Sequence, residues 1–166
     1  MIPVGGQKEG HHSFHFEINN KFFELFEESE IKEGTLSAVV DAYKHASHIE
    51  LDIVISGSVR IGCDRCLGTF DFPVNCKNRL LIKFGVFREE DDPEIVTVPR
   101  DENELDMAQY FYDYINLALP IKRIHPDDSD GNSTCDPEML DRLSEHLVDE
   151  ESREDPRWTD LKKLLN

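Results

Sequence analysis

The sequence predicts an α+β domain: an antiparallel β-meander built on one long central hairpin, one covering helix, and short C-terminal helices. Before Leu105, apolar and polar residues alternate over several segments, which is typical of strands with one buried face. At Leu105 the apolar residues change to a spacing of three or four, as in a helix that lies on a sheet. A chain of 166 residues is long enough for one such domain with a core.

The central hairpin is predicted from the residues on both sides of a C-x-x-C turn, Cys63 to Cys66. The apolar residues hold odd positions before this turn and even positions after it: Ile49, Leu51, Ile53, Ile55, Val59, Ile61, then Phe70, Phe72, Val74, Cys76, Leu80, Ile82, Phe84 and Val86. Pairing Cys63 with Phe70 places both sets on one face, whereas a slip of one residue would turn one strand over.

Three further strands are expected around this hairpin. Phe14, Phe16 and Ile18 alternate in the first strand, and the pattern repeats over residues 35–43 and briefly over 95–98. Sequential strands with short links usually pair as neighbours, which predicts a meander. Between the first two strands, residues 21–29 form either a short helix or an irregular aromatic segment.

The C-terminal half is predicted to be helical. Apolar residues from Leu105 to Leu119 follow helical spacing until Pro120, and residues 137–147 and 155–165 form two short amphipathic helices. Residues 1–148 are expected to form a single domain with a loose N-terminus at 1–12. Residues 149–166 are expected to form an acidic linker and a C-terminal helix.

The charge of the chain is strongly acidic but unevenly distributed. The net charge is −17, which disfavours binding to nucleic acid over the whole surface and favours basic protein partners. Between Arg60 and Arg88, however, six basic residues face only two acidic ones. The chain starts without signal-peptide features and contains no apolar run of membrane-spanning length, so we expect a soluble, cytoplasmic protein.

The cysteines indicate a metal site more than a disulfide framework. Cys63 and Cys66 supply two thiolates from one turn, which is half of a tetrahedral zinc site, and His125 and Cys135 are the candidates for the other half. Cys76 lies among apolar even positions and is expected in the core. An unmetallated turn and a redox pair remain alternatives to structural zinc, although redox C-x-x-C pairs usually open a helix.

The basic residues of the hairpin are predicted to share the face opposite the core. Arg60, Lys77, Arg79 and Lys83 have the parity opposite to the apolar residues of their strands, and Arg65 lies at the turn. Such a row could contact RNA phosphates, although an ordinary solvated sheet face is the alternative.

Other candidate sites are weaker. Histidines 11, 12 and 15 fit a surface strand better than a metal cluster, and the loop after His125 lacks the carboxylate positions of an EF-hand. Phosphate-binding loops, nucleophile elbows and zinc-protease helices are not found in the sequence.

Four ordered blocks of sequence resemble the YceD family, the large ribosomal RNA subunit accumulation proteins. They are Gly57-x-Val59-x-x-x-Cys63-Asp64-Arg65-Cys66-Leu67, Leu117-Ala118-Leu119-Pro120, Cys135, and Asp155-Pro156-Arg157-Trp158-x-x-Leu161-Lys162-x-Leu164. The resemblance covers about two thirds of the chain. It implies a cytosolic bacterial factor, not an enzyme, that acts in ribosome assembly.

Three functional hypotheses follow for this chain. The first is an assembly factor that contacts ribosomal RNA through the basic hairpin face, a basic ribosomal protein through its acidic surface, or both. The second is an acidic chaperone for a ribosomal protein without RNA contact. The third is a zinc-dependent hydrolase, which would require an open coordination position on the metal.

Overall fold

The computed structural model describes residues 1–85 and 94–146. Seven strands and three helices follow in this order: β1 Ile2–Pro3, β2 Gly10–Ile18, α1 Asn20–Phe23, β3 Glu33–Lys44, β4 His48–Gly62, β5 Thr69–Phe84, β6 Ile95–Val98, β7 Glu104–Leu105, α2 Ala108–Leu117 and α3 Pro137–His146. The predicted α+β class is confirmed. None of the described helices has the length and apolar character needed to cross a membrane.

The main sheet has five strands in the order β2-β3-β4-β5-β6. The first four form the predicted antiparallel meander, with β4 and β5 as the long central hairpin. β6 departs from the meander because it lies parallel to β5, with Leu81 beside Ile95 and Phe84 beside Val98. The sheet is therefore mixed, and residues 86–93, which separate the two strands in sequence, lie outside the described residues.

The hairpin register differs from the prediction by two residues. Phe70 pairs with Ile61 instead of Cys63, and Val74 pairs with Gly57 instead of Val59. A shift of two preserves the side-chain faces, so the apolar residues of both strands still lie on one side. The reason is a wide turn: Gly62 pairs with Thr69, and the Cys63 N–H donates to the Gly68 carbonyl at 2.7 Å.

Gly57 allows the close approach of β3 and β4 at the middle of the sheet. Its φ of 149° lies in the region that favours glycine. A Cβ at this position would collide with the Thr35 carbonyl oxygen and lie 2.6 Å from the Leu36 Cα atom. Gly57 therefore interrupts the odd apolar positions of β4 because the backbone needs a glycine there.

The core lies between one face of the sheet and α2. Phe111 and Ile115 of α2 are buried, and the Phe111 ring packs 5.3 Å from that of Phe16 in β2. The predicted covering helix is present, but it starts at Ala108, whose N–H donates a hydrogen bond to the Asp106 carboxylate at 3.0 Å. Leu105 instead belongs to β7.

The N-terminus is more ordered than the sequence suggested. Ile2 pairs with Leu105 in a two-stranded β1–β7 sheet, and both Ile2 and Val4 are buried in the core. The sequence analysis expected a loose segment at residues 1–12, whereas Ile2 and Val4 pack into the core. Small apolar side chains near a chain end gave too weak a periodic signal to predict this.

The predicted C-terminal elements are only partly visible. α3 agrees with the expected helix at residues 137–147 to within one residue. The linker and helix predicted within residues 149–166 and the domain boundary at 148 lie outside the described residues. α1 is a single short turn, followed by irregular chain up to β3.

Candidate metal centre

The turn between β4 and β5 places Cys63 and Cys66 side by side. Besides the bond from Cys63 to Gly68, the Leu67 N–H donates to the Cys63 carbonyl at 2.9 Å. Leu67 adopts a left-handed conformation with φ of 59°, which costs a non-glycine residue about 1 kcal/mol. These contacts fold the six residues between the strands back on themselves, so both thiols point to the same side.

A pair of hydrogen bonds brings His125 to this turn. The Asp64 N–H donates to the Arg123 carbonyl at 2.7 Å, and the Arg123 N–H donates to the Asp64 carboxylate at 2.7 Å. Arg123 also forms an ion pair with Glu30 at 2.6 Å. The chain after α2 is thereby held against the turn, and the His125 ring packs on Phe70 with centroids 4.8 Å apart.

A closed loop then returns Cys135 to the same place. Asp127 and Ser133 form a β-bridge, and the Asp128 carboxylate accepts hydrogen bonds from the N–H groups of Asp130 and Asn132 at 2.9 and 2.8 Å. These bonds hold the pKa of Asp128 below its usual value. Asp128 therefore stabilises the loop.

The four predicted ligand residues lie together in the structure. The sulfurs of Cys63 and Cys135 are 3.7 Å apart, and the His125 Nδ1 atom lies 3.4 Å from the Cys66 sulfur and 3.7 Å from that of Cys135. All four donor atoms lie within 4.8 Å of one another. A tetrahedral zinc ion spaces two thiolates about 3.8 Å apart, and a thiolate and an imidazole nitrogen about 3.5 Å apart. The donor set and its spacing fit such an ion.

The electrostatics of the cluster also fit a cation. The three cysteines are buried and none forms a disulfide. Burial opposes ionisation of Cys63, but N–H groups of Cys66, Arg65 and His125 outweigh it and lower its pKa to about 6. Burial raises the pKa of Cys135. A bound divalent cation would stabilise the Cys135 thiolate that burial alone disfavours.

A small apolar cluster surrounds the three candidate ligand cysteines and shares Phe70 with the main core. Phe70, Ile124, Met139 and Leu140 pack against the three cysteines. α3 has no fully buried residue, and Met139 and Leu140 are its two half-buried side chains. The ligand cluster is thus a main point of attachment for α3.

Cys76 lies away from the ligand cluster. It is half-buried on the core face of β5, and its thiol points to the Tyr114 carbonyl at 3.9 Å. Burial raises the pKa of Cys76, as expected for a thiol in an apolar environment. This placement agrees with the expectation that Cys76 belongs to the core, while Cys63, Cys66 and Cys135 are candidate ligands.

The five predicted RNA-binding residues lie along the hairpin, but two of them have acidic partners. Arg60 pairs with Glu33 at 3.5 Å, and Arg79 pairs with Asp52 at 3.1 Å. Arg60, Lys77 and Arg79 are exposed, while Lys83 and Arg65 are partly exposed. The strand residues of the set alternate with buried ones, and so project away from the core.

The N-terminal histidines are separate from the metal cluster. His11 pairs with Asp41 at 3.0 Å, and the His12 ring contacts the Lys8 carbonyl at 2.9 Å. Within the described part of the chain, no metal-binding group includes either of them or His15.

The two hydrogen bonds between Asp64 and Arg123 were not predicted, because nothing in the sequence links positions so far apart.

Comparison with known proteins gives one match. The family model described as "Large ribosomal RNA subunit accumulation protein YceD" matches residues 51–165. No curated protein and no solved structure shows significant similarity to the chain. The match begins in β4 and includes all four clustered ligand residues.

Proposed function

Because the chain belongs to the YceD family of large ribosomal RNA subunit accumulation proteins, we propose that it is a non-enzymatic ribosome biogenesis factor whose fold is completed by a structural zinc ion. The observation on which this depends most is the convergence of Cys63, Cys66, His125 and Cys135. The factor would act in the cytoplasm, on assembling large subunits.

Zinc is the metal that best suits this donor set. Three thiolates and one imidazole are soft or borderline ligands, which disfavour magnesium and calcium. Four protein donors complete a tetrahedron and leave no position for a water molecule, whereas catalytic zinc sites keep one position open. The arrangement therefore favours a structural ion over the zinc-dependent hydrolase.

The outer face of the hairpin is the proposed RNA contact. Lys77 and Lys83 form no ion pair with any described residue, so their charges are available to phosphates. Arg60 and Arg79 would have to exchange their carboxylate partners for phosphate. We therefore assign the larger share of any RNA affinity to the lysines, and a smaller share to Arg60, Arg65 and Arg79.

The acidic remainder of the molecule supports a second contact, with a basic ribosomal protein. The net charge of −17 produces long-range attraction to cationic partners and repulsion from bare RNA. An acidic chaperone without RNA contact is the second candidate function, favoured by the pairing of Arg60 and Arg79 with acidic groups.

The test is charge reversal on the hairpin face. We expect Lys77→Glu/Lys83→Glu to reduce co-sedimentation with pre-ribosomal particles and to remove RNA cross-links. Lys21→Glu/Lys32→Glu, which makes the same charge change at exposed positions elsewhere, is the control. Unchanged sedimentation of the hairpin variant would exclude the RNA contact. Capture of a basic ribosomal protein by the wild type itself, without any RNA cross-links, would identify the chaperone.

A further inference from the structure

We propose that the β3–β4 turn contains a second transition-metal site, formed by His45, His48 and Glu50. One ligand atom from each of the three residues lies within 4.8 Å of the others. This site is independent of the cysteine cluster and of the proposed ribosomal function. It would bind a borderline divalent ion such as Zn²⁺, Ni²⁺ or Cu²⁺.

The backbone of the turn fixes the positions of the three residues. The His45 N–H donates to the His48 carbonyl at 2.9 Å, which closes a tight turn over Ala46 and Ser47. The turn joins β3 and β4, which pair without interruption from Lys44 opposite Ile49 to Glu33 opposite Arg60. His48 and Glu50, two positions apart on β4, project from the same face. The first ligand therefore comes from the turn and the other two from a rigid strand.

The side chains already converge on one another. The His48 Nε2 atom lies 3.3 Å from the Glu50 Oε1 atom, and the His45 Nε2 atom lies 3.9 Å from it. The two imidazole rings stack with centroids 4.6 Å apart and planes inclined by 24°. Imidazole and carboxylate donors around a tetrahedral zinc ion are about 3.4 Å apart. Small side-chain rotations would bring all three donors to that spacing.

A neighbouring hydroxyl orients one of the histidines. Ser47 Oγ lies 3.0 Å from the His48 Nδ1 atom. In the metal-bound form, Nδ1–H would donate to this hydroxyl and leave the Nε2 lone pair for the ion, which is the tautomer that a metal ligand needs. Metal-binding histidines usually have such a partner for their second nitrogen.

The exposure of the three side chains indicates how strongly this site would bind a metal ion. The side chains of His45, His48 and Glu50 are 51%, 31% and 41% exposed, so an ion here would keep open positions for water. Lys83 lies across from His48 on β5, and its positive charge opposes cation binding. We therefore expect an exchangeable site that binds metal more weakly than the buried cysteine cluster.

Calorimetric titration of the full-length protein with Zn²⁺ tests this proposal. Wild-type protein that already holds one zinc ion should bind a second equivalent. The affinity for this second ion should be at least tenfold lower in His45→Ala and in His48→Ala. His11→Ala is the matched control, because His11 is also exposed and also pairs with a carboxylate. Circular dichroism checks that each variant folds. His45 lies in the turn outside the strands, so His45→Ala should not disturb the sheet.

The two metal sites can be separated in the same experiment. Cys63→Ser should lose the tight equivalent and keep the weak one, so failure of the cysteine centre would leave this test valid. Absence of the weak equivalent from both wild type and Cys63→Ser would overturn the proposal, as would a weak event that survives in both histidine variants. Loss of that event in His11→Ala would also overturn it.

Discussion

Asp64 and Arg123 are joined by two hydrogen bonds of 2.7 Å, although 59 positions separate them in the chain. One bond joins backbone groups, and the other uses the Asp64 carboxylate. Together they align the turn that contains Cys63 and Cys66 with the segment that contains His125. The geometry of the cluster therefore depends on a residue that is not a ligand.

Substitution Asp64→Ala should weaken zinc binding about tenfold without removing any ligand, because outer contacts orient metal ligands. Competition with a chelator of known affinity measures the effect. Asp101→Ala, at an exposed position in another turn, should leave the affinity unchanged. Equal zinc affinity in Asp64→Ala and wild type would show that the strands alone position the cysteines.

Removal of a ligand should release both the metal and α3. We expect Cys63→Ser and Cys135→Ser to purify with less than one equivalent of zinc by elemental analysis. Hydrogen exchange of α3 amides should accelerate strongly in these variants, because Met139 and Leu140 pack on the cluster. Cys76→Ser should retain both zinc and α3 protection. Slow exchange in metal-free protein would show that α3 is held by other contacts.

The Cys63 thiol should ionise near pH 6 in metal-free protein. Its pKa is lowered on folding, so the unfolded chain binds more protons between pH 6 and the ordinary thiol pKa of about 8.5. The contribution of Cys63 to stability is therefore present above this range and is lost as the pH falls to 6. Thiolate ultraviolet absorbance should show a step near pH 6 that is absent in Cys63→Ser.

Substitution Gly57→Ala should destabilise the fold by about 2 kcal/mol or more, because it adds backbone strain and a collision with β3. Urea denaturation measures the loss of free energy of unfolding. Gly62→Ala is the matched control in the same strand, where a Cβ would meet no atom within 4 Å. Similar stability of the two variants would contradict the close strand approach.

The sequence predicted those features that depend on local periodicity. The parity of residues 49–61 and 70–84 defined the buried face, and two cysteines in one turn defined half of the metal centre. Parity is unchanged by a shift of two, so it left the register of Ile61 and Phe70 undetermined. The register is set by the width of the turn. That width depends on hydrogen bonds around Cys63, which have no sequence signature.

Long-range features were harder to predict. The parallel pairing of β6 depends on the path of the intervening chain, and the burial of Ile2 depends on Leu105, which helical spacing assigned to α2. His125 and Cys135 were named as candidates because zinc needs four donors. Their approach depends on Asp64, Asp128 and a bridge between Asp127 and Ser133, contacts that only the tertiary structure reveals.

The 72-residue separation of Cys63 and Cys135 also has a consequence for biosynthesis. The thiols of Cys63 and Cys66 leave the ribosome before His125 and Cys135, and would offer only half of the proposed site while the remaining donors are still being synthesised. Closing so long a loop is entropically costly, so complete chelation comes late in folding. Metal capture would thus act as a final checkpoint, separating finished molecules from nascent ones.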